Sequence, residues 1–135
     1  MTNNEPRTTS NAFRFGTAIN CIDGRAQEPV IRWLKENYYL DYIDLITEPG
    51  PDKALLYGAP ETIERIKNLV CFSIQAHSSN IVALAAHYDC LANPATKEIH
   101  LAEIRQALQV IRFWNISASL VGLWVDENGQ VEQVG

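Results

Sequence analysis

Ile81-Val82-Ala83-Leu84-Ala85-Ala86, followed at once by His87-Tyr88-Asp89-Cys90, is the stretch that decides the fold. Six apolar residues without alternation belong to a strand covered on both faces, the setting of a parallel sheet with helices above and below it. Working outward, residues 13–20 read as a first strand, broken at Cys21-Ile22-Asp23-Gly24-Arg25. A helix follows with Pro29 in its first turn and Val30, Trp33, Leu34 and Tyr38 at helical spacing. Residues 42–47 form a second strand, and Glu48-Pro49-Gly50-Pro51-Asp52 reads as a segment that continues no regular element. Another helix starts near Pro60, carries Ile63, Ile66, Val70 and Ile74, and stops at Ser78-Ser79-Asn80. After the apolar strand and its loop, Ile104, Ala107, Leu108 and Ile111 mark a helix over about 97–114. A fourth strand over 119–125, a turn at Asp126-Glu127-Asn128-Gly129 and a short return strand over 130–134 complete the pattern. Strands and helices in alternation imply right-handed crossovers, so the expected class is α/β, a mostly parallel sheet with an antiparallel edge hairpin.

The 135 residues suit one domain, expected over 13–135 behind a flexible polar lead-in over 1–12. The formal charge of −5, with no basic run, argues against nucleic acid or an anionic membrane surface as partner. The apolar stretch 81–86 is far too short to span a bilayer. The first ten residues hold no apolar signal core, so a cytoplasmic location is expected. Three cysteines at wide spacing are no disulfide framework; in such a chain they point to metal, catalysis or packing.

Ligands of open α/β sheets bind beyond the carboxyl ends of the strands, where the strand order reverses. Cys21 follows the first strand, and His87 and Cys90 follow the third. If those strands are neighbours across the reversal, two thiolates and an imidazole converge, a donor set that suits Zn²⁺ and leaves one position open. Asp23 lies two residues after Cys21 and competes for that position. Arg25 could hold Asp23 bidentately and turn it away, so that water takes the place and its pKa falls to roughly 7.

Cys21-Ile22-Asp23-Gly24-Arg25 with His87-Tyr88-Asp89-Cys90 resembles the β-class carbonic anhydrases, whose signature is C-x-D-x-R after the first strand and H-x-x-C after the third. Here Gly24 fills the inner position of the first motif, and Ala86 and Leu91 flank the second. The resemblance implies zinc bound by Cys21, His87 and Cys90, with Asp23 and Arg25 as the catalytic orienting and gating pair. It implies hydration of CO₂ to bicarbonate by zinc-bound hydroxide, a homodimer or larger homo-oligomer with extended sheets, and Gly50 as an approximate backbone contact for substrate. Three alternatives stay open: hydrolysis of carbonyl sulfide or carbon disulfide at the same zinc, a non-catalytic zinc protein with Asp23 closing the site, and a thiol enzyme using Cys21 or Cys90 with His87.

Other residues read more simply. Cys71 falls near an apolar helix face and is expected in the core. His77 and His100 lack partners at ligand spacing and are expected at the surface or as caps. Asp89 reads as an exposed loop carboxylate. Trp33, Trp114 and Trp124 read as core and subunit-interface material, since no basic stripe accompanies them.

Overall fold

In the computed structural model, which describes residues 13–135, strands and helices alternate around one five-stranded sheet. The lead-in expected over 1–12 lies outside the described residues. The strands are β1 (Phe15–Asn20), β2 (Tyr42–Thr47), β3 (Ile81–His87), β4 (Ser119–Val125) and β5 (Val131–Gln133). Their order is β2-β1-β3-β4-β5, with parallel neighbours throughout except the antiparallel β4–β5 pair. All seven residues of β3 are buried, as its unbroken apolar run requires of a central parallel strand.

The helices are α1 (Gln27–Tyr38), α2 (Pro51–Tyr57), α3 (Pro60–His77) and α4 (Lys97–Arg112). Helix α1 covers one face of the sheet, with Val30 and Leu34 packed on Ala18, Ala83, Ala85, Val121 and Leu123. Helices α2, α3 and α4 cover the other, with Leu55, Ile66, Val70, Ile104 and Leu108 against Ile19, Val82 and Leu84. Helix α4 begins where the Thr96 hydroxyl accepts the Ile99 N–H at 3.3 Å. Helices α1 and α3 end on left-handed residues, Tyr39 and Ser78, whose N–H groups return to the Lys35 and Ile74 carbonyls.

Four expectations need correction. The segment 48–52 reads in sequence as one that continues no regular element, yet Gly50 in the left-handed region (φ 54°) and Pro51 at the first helical position start α2 there. Proline is pre-set for that position, where its missing N–H costs no bond. Strand β1 begins at Phe15, not Phe13, which is exposed. Helix α4 stops at Arg112, two residues short of the expected end. Cys71 is only half-buried, because α3 turns Ile66, Val70 and Ser73 inward instead.

Sheet and helix approach closely at Gly122 of β4. A Cβ there would lie 2.6 Å from Ile104 Cγ2 and 3.0 Å from Leu108 Cδ1. Gly122→Ala is therefore expected to destabilise the fold by about 1–3 kcal/mol through overpacking. Urea denaturation followed by circular dichroism checks this, and an unchanged midpoint would contradict it.

Candidate metal centre

The strand order reverses between β1 and β3, since the chain leaves β1 to one side for β2 and crosses to the other for β3. At the carboxyl ends of these two strands Cys21, His87 and Cys90 converge, their donor atoms all within 4.8 Å of one another. Cys21 directly follows β1, and His87 is the last residue of β3 rather than the first of the loop. The loop turns at Asp89, whose φ of 58° is tolerated by a short polar side chain, and so brings Cys90 back to the cluster.

Several bonds hold the Cys21 loop. The buried Asn20 side chain accepts the Cys21 N–H at 2.9 Å and donates to the Ala26 carbonyl at 3.2 Å. Gln27 donates to the Cys21 and Ile22 carbonyls. Asp23 caps the short 3₁₀ turn Gly24–Ala26 and accepts the Arg25 backbone N–H at 3.0 Å. The Arg25 guanidinium meets the same carboxylate in a fork, Nε to Oδ1 at 3.0 Å and Nη2 to Oδ2 at 2.6 Å. Arg25 holds the Asp23 carboxyl down at about 2, against the opposing effect of partial burial. Asp89 is exposed as expected, but it is not idle: its side chain and carbonyl accept from Arg25 at 3.3 and 3.2 Å. Arg25 thus ties the first motif to the second.

The donor set fits a tetrahedral thiophilic cation. The two sulfurs stand 3.9 Å apart, too far for a disulfide. Two sulfurs each about 2.3 Å from a tetrahedral zinc would be about 3.8 Å apart. His87 Nδ1 donates to the Tyr88 carbonyl at 2.7 Å, which places the lone pair on Nε2. That Nε2 is buried and makes no hydrogen bond of acceptable geometry. A buried imidazole nitrogen without a hydrogen-bond partner, beside two thiols, is a donor set suited to a metal.

The electrostatics agree. Burial alone would raise the Cys21 thiol, but His87 and the N–H groups of Asp23 and Gly50 outweigh it and bring the thiol below its ordinary value. Burial and the neighbouring Cys21 charge push Cys90 up, although the N–H groups of Asn93 and Ala92 face its sulfur. Burial works against protonation of His87, yet nearby Cys21 and the Tyr88 carbonyl carry it upward. Two thiolates this close repel, and a cation between them removes the conflict.

Gly50, expected near substrate, caps α2 with its N–H facing the Cys21 sulfur. A small cavity of about 160 Å³ opens beside the cluster, lined by Arg25, His87, Tyr88, Val125 and Asp126 among others. A larger open groove along α3, lined by Glu61, Arg65 and Leu69, holds none of the converging residues.

A second buried cluster escaped the sequence reading. His100, expected at the surface or as a cap, is 1% exposed, and its Nδ1 meets Asp52 Oδ2 at 2.7 Å. Asn93 joins them and donates to Glu103 as well. One signal pointed there: His100 falls on the stripe of Ile104, Ala107, Leu108 and Ile111 that α4 buries. His77 is half-exposed and pairs with Asp44 at 2.6 Å, with its ring stacked on Phe15.

A family described as "Putative carbonic anhydrase" matches residues 11–135. No curated protein matches in sequence. Among solved structures, a tetrameric β-carbonic anhydrase from the filamentous ascomycete Sordaria macrospora is similar, with a TM-score of 0.60 at 12% identity, over 92% of this chain and 81% of that one. β-Carbonic anhydrases of Trichomonas vaginalis (TM-score 0.47, 12% identity, 87% of this chain, 81% of that one) and Aspergillus fumigatus (0.46, 17%, 89%, 74%) are also similar.

Proposed function

The chain belongs to this carbonic anhydrase family, and from that premise we propose that it catalyses the reversible hydration of CO₂ to bicarbonate, with zinc held by Cys21, His87 and Cys90. The observation that carries the reading is the 3.9 Å sulfur spacing beside the orphaned Nε2 of His87. Bound there, zinc supplies a Lewis acid that makes water nucleophilic at neutral pH.

The chain's own residues do the rest. The Tyr88 carbonyl fixes the His87 tautomer and aims Nε2 into the cluster. A carboxylate has about four acceptor sites, and Arg25 fills three of those on Asp23, two at Oδ1 and one at Oδ2. The site left on Oδ2 accepts a proton-bearing water and turns its lone pair toward CO₂. Arg25 meanwhile keeps Asp23 from becoming a ligand itself, which supports an open site over the non-catalytic reading. Cys21, His87 and Cys90 are each under 5% exposed, so their charges act in a poorly screened setting.

Residues 13–135 form the catalytic domain in this proposal, in a cytoplasmic protein whose described helices are none of them long and apolar enough to cross a membrane. A homo-oligomer, a dimer or larger, is part of it too. The Sordaria protein is described as tetrameric, and the edge strand β2 presents the half-exposed Tyr42 on an unpaired side. Light scattering after size exclusion should give a multiple of 15.2 kDa.

Stopped-flow CO₂ hydration on protein of checked zinc content, beside Cys90→Ser, tests the reaction. Turnover well above the Cys90→Ser control is expected. Silence with zinc bound would reject it, and the same preparation would then be tried on carbonyl sulfide and carbon disulfide.

A further inference from the structure

We propose that Asp52, Asn93 and His100 form a buried clamp that positions both cysteine ligands, an inference that rests on the metal centre proposed above. Backbone N–H groups face each sulfur. The Gly50 N–H faces Cys21, and those of Ala92 and Asn93 face Cys90. These groups belong to two separate loops, one after β2 and one after β3. Nothing in the motifs themselves joins those loops.

The clamp joins them. Asp52 lies two residues after Gly50 and is fully buried, and Asn93 lies three after Cys90 and is 5% exposed. The Asn93 amide donates to Asp52 Oδ2 at 3.2 Å and to Glu103 Oε1 at 2.7 Å, using both of its N–H bonds. His100, rooted in α4, donates from Nδ1 to the same Asp52 oxygen at 2.7 Å and fixes the carboxylate from behind. The backbone follows: the Asn93 N–H returns to the Cys90 carbonyl at 3.2 Å. A Cβ on Gly50 would stand 3.2 Å from Asn93 Cβ and 3.3 Å from Ala92 Cβ, so the two loops touch where the clamp draws them together.

A buried carboxylate with one oxygen unpaired is expensive, and Asp52 Oδ1 and His100 Nε2 both lack partners. Stability alone does not explain retaining such a pair, since apolar residues of similar volume would often serve as well. Holding two loops in register does explain it. These are positioning residues, because none of them offers an atom to the Cys21–His87–Cys90 set. Although Asp52, His100 and Glu103 could themselves gather round a cation, the Asn93 amide nitrogen already stands among them.

The test is zinc affinity, read by competition with a chromophoric chelator, together with the thiolate-to-metal absorption of the cobalt-substituted protein. Asp52→Ala and Asn93→Ala should each weaken zinc about 10–100-fold and shift the cobalt spectrum. Asp52→Asn, which keeps the shape and an acceptor oxygen, should fall between them and the parent. Ser73→Ala removes buried bonds to Thr17 and Asp44 elsewhere on the sheet. It should lower the melting temperature and leave zinc affinity unchanged. If Asp52→Ala does not fold, Asn93→Ala and Asp52→Asn decide. Affinities within twofold of the parent in folded variants would overturn the clamp. So would a second bound zinc that disappears in His100→Ala, since the cluster would then be a metal site. A parent protein that takes up neither zinc nor cobalt would reject the metal centre and the clamp with it. A parent that binds zinc without hydrating CO₂ would reject only the reaction, because the clamp is read by affinity.

Discussion

Arg25→Ala is expected to lower CO₂ hydration about 10–100-fold while zinc content stays at the parent level. Among the described residues, the guanidinium supplies two of the three hydrogen bonds that hold Asp23, at 3.0 and 2.6 Å, and also links Asp23 to Asp89. Without it, Asp23 keeps the backbone bond from residue 25 but is free to swing toward the Cys21–His87–Cys90 set. A carboxylate so placed competes for the fourth position and closes the site. The loss should fall on kcat, since nothing that carries CO₂ is removed. Stopped-flow kinetics beside metal analysis reads both quantities. Loss of zinc together with activity would show instead that Arg25 only braces the loop. Full activity would show that Asp23 is held by other means.

The second large effect concerns the metal itself. Stripping zinc with dipicolinate should abolish turnover and lower stability by about 2.7–4.1 kcal/mol relative to protein in 100- to 1,000-fold excess of zinc over its Kd. The sign follows from linkage: the folded chain gathers Cys21, His87 and Cys90 within 4.8 Å, and the unfolded chain does not, so the ion binds the folded form. Thermal unfolding with and without chelator measures the shift, and added zinc should restore it. Equal melting temperatures would contradict the centre. Activity that rises on chelation would favour a thiol enzyme built on Cys21 or Cys90 with His87.

Much of this architecture was legible because its signals are local. The run at 81–86 has no polar interruption, and such a strand has few places to go except the middle of a parallel sheet. The two motifs each follow a strand, so the switch-point rule brings them together once β1 and β3 are neighbours. What escaped depended on context. Pro51 reads as a breaker because proline ends helices more conspicuously than it begins them, yet with Gly50 as its cap it starts α2. His100 and Asp52 are 48 residues apart, and no spacing rule joins them. Only the place of His100 on the buried stripe of α4 hinted at a partner. Asp89 reads as an exposed loop carboxylate, and its partner, Arg25, lies 64 residues upstream, where no spacing rule joins the two.

The distance between Cys21 and Cys90 along the chain, 69 residues, has a bearing on assembly. No ligand pair that spans both motifs exists until β3 has docked beside β1, and by then the crossover through β2, α2 and α3 must already be laid down. A nascent chain therefore offers Cys21 early and His87 with Cys90 late, and Cys71 and His77, which emerge between them, are not part of the converging set. If zinc binds as proposed, loading becomes a checkpoint on topology, since only a correctly threaded chain gathers Cys21 with His87 and Cys90. An ion so held would cross-link a long loop and restrain the route back to the unfolded state.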